Sequence, residues 1–465
     1  MVQGVQIDSD GCLVNTNPAT GEVISRVRCT TSAEIDEMVS VATTALNKSW
    51  KSMSCEDRVS LLRDGLKALA NVRDELATSM VSEMGKPIAE AREELDGATS
   101  KDEFMDILLD SIRPKKFGTS TVVRNPFGVV AIMSPWNFPV DEILLLALPS
   151  LASGNTVIVK PSEVVPETGA LVVRTLQSVL PDGVIQLAQG AGDVGAKLVS
   201  HPGIALVAMT GSSATGKKIL ASAAPNLKRV ILEMGGKDPM VVFDDADLTK
   251  AAKDAVEYSL CNSGQVCCSV ERIYVAEPIY DKFQEMTKSV AATYKVGNGL
   301  DPENKVGPLV SVMQREQVKS QVDDAVKKGA KLLLQSETPK DVDKDKCSFY
   351  PVTVLADVDE TMDLLVKETF GPVVSLTKFD GSEDEAVRLA NKSEYGLGSS
   401  VYSNDLDKAQ RVASRIDAGQ VGINCWPLEQ MDVHCPWVGH KSSGFGYHSG
   451  DGVMQFSIPK TIVTG

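Results

Sequence analysis

Two side chains able to do covalent chemistry together stand at the ends of expected elements in this chain. Cys267 belongs to Asn262-Ser263-Gly264-Gln265-Val266-Cys267-Cys268, and Glu233 to Leu232-Glu233-Met234-Gly235-Gly236-Lys237. A thiol and a carboxylate, each beside a glycine and each at an element end, form a candidate nucleophile and base. The competing reading takes Cys267 and Cys268 as small core hydrophobes, the commoner role of a free cysteine.

The elements that must hold these groups are legible from apolar spacing. Residues 248–260 carry apolar side chains at helical spacing behind the capping-type Asp247, and Gly264 is an expected helix stop. Residues 272–275 read as a short buried strand, and 229–232 as another. From Val129 onward strand-like runs at 129–133, 156–159, 184–187 and 204–209 alternate with helical runs starting near Pro139, Pro166 and Asp193. A second alternating region spans 239–424. This β-α alternation predicts an α/β fold of parallel, doubly wound sheets, with ligands at the carboxyl ends of the strands. Residues 1–30 are expected as strands or loop. Helices follow from an N-cap at Ser32, including one long surface helix over 86–112, and a β-prone piece covers 118–124.

Composition removes several function classes. At 465 residues the chain should split into two or three domains. Lys and Arg number 47 against 62 Asp and Glu, a net charge of −15, which argues against nucleic acid and anionic membrane surfaces as partners. The nine cysteines form no CxxC pair and the four histidines no HExxH, so neither a disulfide framework nor a metal site is expected. The longest apolar block, 143–151, is too short to span a bilayer. With no targeting pattern at either end, a cytoplasmic enzyme is the expectation.

Two glycine-rich turns compete for a nucleotide. Gly190-Ala191-Gly192-Asp193-Val194-Gly195 is a literal GxGxxG, but 205–220 lacks the acid that the dinucleotide fingerprint places about 20 residues later. It reads better as a tight strand-to-helix turn lining the adenine. Gly211-Ser212-Ser213-Ala214-Thr215-Gly216 follows a strand and opens a helix, whose free N–H groups suit a pyrophosphate.

Further motifs lie in order along the chain: Asn17-Pro18-Ala19-Thr20-Gly21-Glu22, Pro135-Trp136-Asn137-Phe138-Pro139, Lys160-Pro161-Ser162-Glu163 and Glu368-Thr369-Phe370-Gly371-Pro372. Together with LEMGGK and NSGQVC they make the chain resemble the aldehyde dehydrogenase superfamily over nearly its whole length. The resemblance implies a dinucleotide-binding domain (1–107 and 127–234), a catalytic domain (235–452) and a small β oligomerisation arm (108–126 and 453–465). It implies oxidation of an aldehyde to the acid, with Cys267 as nucleophile, Asn137 and the Cys267 N–H as oxyanion donors, and Glu233 as hydrolytic base. Trp136, Lys160, Ser162, Glu163, Gly192, Gly211, Ser212 and Gly216 become nucleotide contacts, and Glu368 and Phe370 hold the nicotinamide ribose and ring. Glu163 at the adenosine ribose would favour NAD, while Lys160 leaves NADP open.

Phe138, Asp141, Trp426 and Trp437 are the expected substrate wall. Residues 140–145 carry two acids and no arginine, so a neutral or amino-bearing aldehyde is expected over an anionic one. A homodimer or homotetramer is expected, since an exposed β arm needs pairing. The alternatives are a CoA-acylating relative, which Glu233 argues against, and a catalytically retired binding protein. The sequence departs from the family at Tyr447-His448-Ser449, where an Arg-Glu pair is usual.

Overall fold

The computed structural model describes residues 5–465. Two sheets dominate it. The first runs in the order Gly444–Phe445, Arg229–Glu233, Ile204–Thr210, Val129–Met133, Thr156–Lys160 and Ile185–Leu187. Its strands are parallel except Gly444–Phe445, which adds antiparallel to Arg229–Glu233. The second has Lys331–Gln335, Thr353–Ala356, Val373–Phe379, Val270–Ala276, Asp238–Val242, Gly398–Tyr402 and Gln420–Ile423, antiparallel only at Lys331–Gln335. Strands such as Val129–Met133 and Val270–Ala276 are buried along their whole length, as a sheet covered by helices on both faces requires.

The Leu248–Leu260 helix forms as expected, with the Asp247 carboxylate accepting the N–H groups of Thr249 and Lys250. Three expectations are corrected. The first helix, Ser32–Lys48, is capped by Thr31, not Ser32, because Thr31 and Glu34 close a reciprocal capping box. The span 86–112 is two helices, Ile88–Thr99 and Asp102–Ile112, broken at Ser100 and Lys101. The break lets Lys101 reach Asp141 at 2.8 Å. Finally, the helix before Cys267 ends at Leu260, and Gly264 closes a separate 3-10 turn, Cys261–Gly264.

Outside the two sheets, Ser457–Val463 pairs antiparallel with Ser120–Pro126, which pairs with Lys115–Phe117. Phe117, Ile458, Ile462 and Val463 are exposed on this ribbon. Among the described residues no helix is long and apolar enough to cross a membrane, and no cluster of potential ligands could hold a metal.

Candidate active site

Cys267 is presented by a strained turn. Asn262 and Ser263 stand in the left-handed region at φ +48° and +60°, both buried, and Gly264 follows at +74°. Each residue is held for its chemistry. Ser263 Oγ donates to the Gly307 carbonyl at 3.1 Å, and Asn262 Nδ2 donates to the carbonyls of Asn137 (3.1 Å) and Gln265 (3.2 Å). Gln265 returns its own amide to the Asn262 carbonyl and accepts the Val310 N–H. A Cβ on Gly264 would collide with the Gly371 carbonyl, so only glycine lets this turn lie on the Glu368–Gly371 loop. Among the described residues the Cys267 N–H has no partner.

Asn137 is fixed against the same turn, its Nδ2 donating to the Gln265 carbonyl at 3.1 Å. The segment after it is anchored on a buried ion pair, Lys86 Nζ to Glu94 Oε2 at 2.5 Å. Glu94 Oε1 also accepts the N–H groups of Val140 and Asp141, and the Lys86 ammonium sits 3.7 Å from the Phe138 ring centre.

Glu233 ends a strand and lines the same cleft as Cys267 and Asn137, with a volume of about 800 Å³. Its Oε1 accepts the Trp437 indole N–H at 3.4 Å, and its buried Oε2 has no partner among the described residues. Burial and the nearby Glu142 push its carboxyl well above the usual carboxylate range. The Cys267 thiol is also pushed well up, by the adjoining Cys268 thiol, by burial and by Glu233. A raised thiol holds its proton more tightly, and a raised carboxyl is a stronger base once it ionises.

The cleft runs from Cys267 past Trp136, Phe370 and Glu368 to Gly211, Ser212, Gly192, Lys160, Ser162 and Glu163. Gly216 lies under it on the Ser213–Ala223 helix, where a Cβ would strike Met234. Two helix N-termini open there. Ser212 caps Ser213–Ala223 through Thr215 N–H, whereas Gly192–Ser200 has no side-chain cap, so its first N–H groups are free for an anion. Lys160 Nζ and Glu163 Oε2 form an ion pair at 3.3 Å. Phe370 adopts φ +55°, which a bulky residue rarely does, and meets Trp136 edge-on at 5.5 Å. That backbone is held by Glu271, whose carboxylate accepts the N–H groups of Thr369 and Phe370 and pairs with Lys237 at 2.5 Å. Glu368 turns its carboxyl onto the Gly236 N–H, and burial raises it to about 8. An elongated cleft with two helix N-termini at one end and an aromatic pair near the thiol fits a dinucleotide.

Phe138, Asp141, Trp426 and Trp437 do not border this cleft. Asp141 is paired with Lys101, and Trp426 stacks on Tyr258 at 4.8 Å and donates to the Cys268 carbonyl at 3.0 Å. Cys267 and Phe138 both flank the apolar cluster that contains Trp426 and Trp437. Sequence reasoning missed Glu142 and Glu271: each looks like one more exposed acid until the fold turns Glu142 to the cleft and buries Glu271. The unusual His448 is buried, and burial lowers its imidazole to about 4, so it stands uncharged.

Relatives agree with the geometry. The chain is 35% identical over 457 residues to glutarate-semialdehyde dehydrogenase of Pseudomonas putida, covering 96% of this chain and 93% of that one. It is 35% identical over 468 residues to betaine aldehyde dehydrogenase of Rhizobium leguminosarum bv. trifolii, covering 98% and 95%. Among solved structures, betaine aldehyde dehydrogenase from Staphylococcus aureus in complex with NAD+ superposes with a TM-score of 0.92 at 32% identity, covering 99% of this chain and 93% of that chain. An NADP dependent enzyme of E. coli superposes at 0.91 and 31% identity, covering 98% and 95%. The profile of the Aldehyde dehydrogenase family matches residues 6–462, and this chain belongs to that family, as an enzyme that oxidises aldehydes to carboxylic acids.

Proposed function

We propose that the chain oxidises a neutral or amino-bearing aldehyde by a covalent route through Cys267, with NAD as the preferred dinucleotide. The observation that carries this is the convergence of Cys267, Asn137 and Glu233 on one cleft whose far end suits a nucleotide. The two helix N-termini would receive the pyrophosphate, Lys160 and Glu163 the adenosine ribose, and Glu368 and Phe370 the nicotinamide ribose and ring. A nicotinamide held there would supply the hydride acceptor for the oxidation.

The residues of the chain do the rest. Cys267 gives its proton up to solvent, and the thiolate attacks the aldehyde carbon to give a thiohemiacetal. Asn137 Nδ2 and the Cys267 N–H hold its oxyanion, a service in which one lost donor costs about 10²–10³ in rate. Once the thioester has formed, Glu233 draws a proton from water, the water oxygen bonds to the thioester carbon, and the C–S electron pair returns to Cys267. Burial suits Glu233 to this work by making it a stronger base than an exposed carboxylate.

For the aldehyde itself, the proposed wall lies outside the nucleotide cleft, in the apolar cluster that Cys267 and Phe138 flank with Trp426 and Trp437, and Asp141 is proposed alongside it. The carboxyls of Glu142 and Glu233 near the thiol disfavour an anionic substrate, and pairing of Asp141 with Lys101 weakens the case for a strongly cationic one. The two curated relatives, equally identical and named for opposite substrate charges, do not decide the question. The domain division and the oligomerisation arm stated above are proposed with it. The exposed apolar residues of the 115–126 and 457–463 ribbon support a homodimer or homotetramer, and a cytoplasmic location is proposed with it.

Separating the two half-reactions tests this reading. Cys267→Ala should abolish oxidation, whereas Glu233→Gln should still release one burst of NADH and then stall as thioester. Steady turnover by Cys267→Ala would refute the nucleophile and turn attention to Cys268.

A further inference from the structure

Glu142 lines the cleft with Cys267 and Glu233, yet the reaction above gives it no task. Its place follows from the sheet. Thr210 and Glu233 are register partners on neighbouring parallel strands, so their side chains leave the same face about 4.8 Å apart. The Thr210 hydroxyl donates to Glu142 Oε2 at 2.8 Å. Glu142, in the first turn of the Asp141–Ala152 helix, thus reaches over Thr210 to stand beside Glu233.

The charges packed around it leave these two carboxyls facing each other. Asp141, on the same helix, is paired with Lys101, and Glu94, from Ile88–Thr99, is paired with Lys86. His448 lies on the strand paired with Trp437, the residue that donates to Glu233, and is held neutral. Two neighbouring carboxylates, neither paired with a cation among the described residues, cannot both ionise freely.

We propose that Glu142 is a positioning residue for the base: of the two carboxyls Glu142 ionises first, and its charge keeps the remaining proton on Glu233, making Glu233 a stronger base than burial alone would. This deepens the assignment of Glu233 as hydrolytic base and rests on it. The Thr210 hydroxyl and the helix N-terminus favour charge on Glu142. Its carboxyl is raised to about 8, first by burial and then by Asp141, and Thr210 draws it down, whereas Glu142 is the leading charge that pushes Glu233 up. In hydrolysis the water proton goes to Glu233 while the new C–O bond forms, Glu142 keeps its charge, and Glu233 then returns the proton to solvent.

The test is the pH profile of steady-state turnover, with NADH burst and deacylation measured separately. In Glu142→Gln the neighbouring charge is gone, so Glu233 ionises at lower pH and the acid limb of deacylation moves down. Below the wild-type midpoint the variant should keep a fraction of its own plateau rate about tenfold larger than wild type keeps, the equivalent of a one-unit displacement. Glu142→Asp, which retains the charge, should bring the limb back toward wild type. A lower rate with the limb unmoved is what a purely structural role would give, and it overturns the proposal. Should Glu142→Gln fail to fold, Thr210→Val decides, because loss of the hydroxyl leaves Glu142 less ionised and must move the limb the same way. Glu233→Gln separates the two assignments: if it stalls after the burst while Glu142→Gln leaves the limb in place, the base stands and this inference falls. If Glu233→Gln turns over normally, both fall.

Discussion

Replacing Asn137 by alanine isolates the oxyanion donor from the scaffold, and the structure sets the expected sizes of both effects. Asn137 Nδ2 gives one hydrogen to the Gln265 carbonyl at 3.1 Å. That carbonyl also receives Asn262 Nδ2 at 3.2 Å, so the substitution does not orphan it. The structural loss is then one ordinary hydrogen bond, about 1 kcal/mol, in place of the larger cost of a stranded buried acceptor. A loss of that size lowers Tm by no more than about 2–4 °C. Catalysis should suffer far more. The second N–H of Nδ2 is the one free for the thiohemiacetal oxyanion, and a lost donor of this kind costs about 2.7–4 kcal/mol, or 10²–10³ in rate. Stopped-flow absorbance of the NADH burst reads the step directly, since the oxyanion forms before hydride leaves. A burst within about tenfold of wild type, with Tm unchanged, would refute the reasoning and reduce Asn137 to a brace for the 262–265 turn.

Two further outcomes are expected. Glu163→Gln removes the carboxylate proposed to face the ribose and frees Lys160 from its 3.3 Å ion pair, so the NADP-to-NAD ratio of kcat/KM should rise about tenfold, equivalent to about 1.4 kcal/mol. A wild-type preference for NADP, or an unchanged ratio, places Glu163 elsewhere. For the aldehyde, kcat/KM should be higher for an aliphatic aldehyde and an aminoaldehyde than for succinic semialdehyde of similar length, and a clear preference for the anionic substrate overturns the reading of the acids near Cys267.

Local pattern alone determined a great deal here. The Leu248–Leu260 helix with its Asp247 cap, the strands that end at Met133 and Glu233, and the order of the motifs follow from apolar period, turn residues and capping groups, all of which act within a few positions of one another. The same short range explains the error over 86–112, where helical spacing continues through Ser100 and Lys101 but Lys101 leaves the helix to meet Asp141. Cys267 and Glu233 were legible as candidates from residue type and their places at element ends, and Asn137 only through the motifs that resemble the aldehyde dehydrogenase superfamily. Their state was not. That Asn262 and Ser263 must take left-handed conformations depends on Gly307 and the Glu368–Gly371 loop, contributed by distant parts of the chain. That Trp437 supports Glu233, Trp426 braces the Cys268 carbonyl and Glu271 props Phe370 depends on strand register across both sheets. Glu142 shows the difference most plainly: in the sequence it is an acid in a helix's first turn, and only the pairing of Thr210 with Glu233 brings it to the base. Charge in a buried site is set by what lies within a few ångströms in space, and that neighbourhood exists only once the strands are in register.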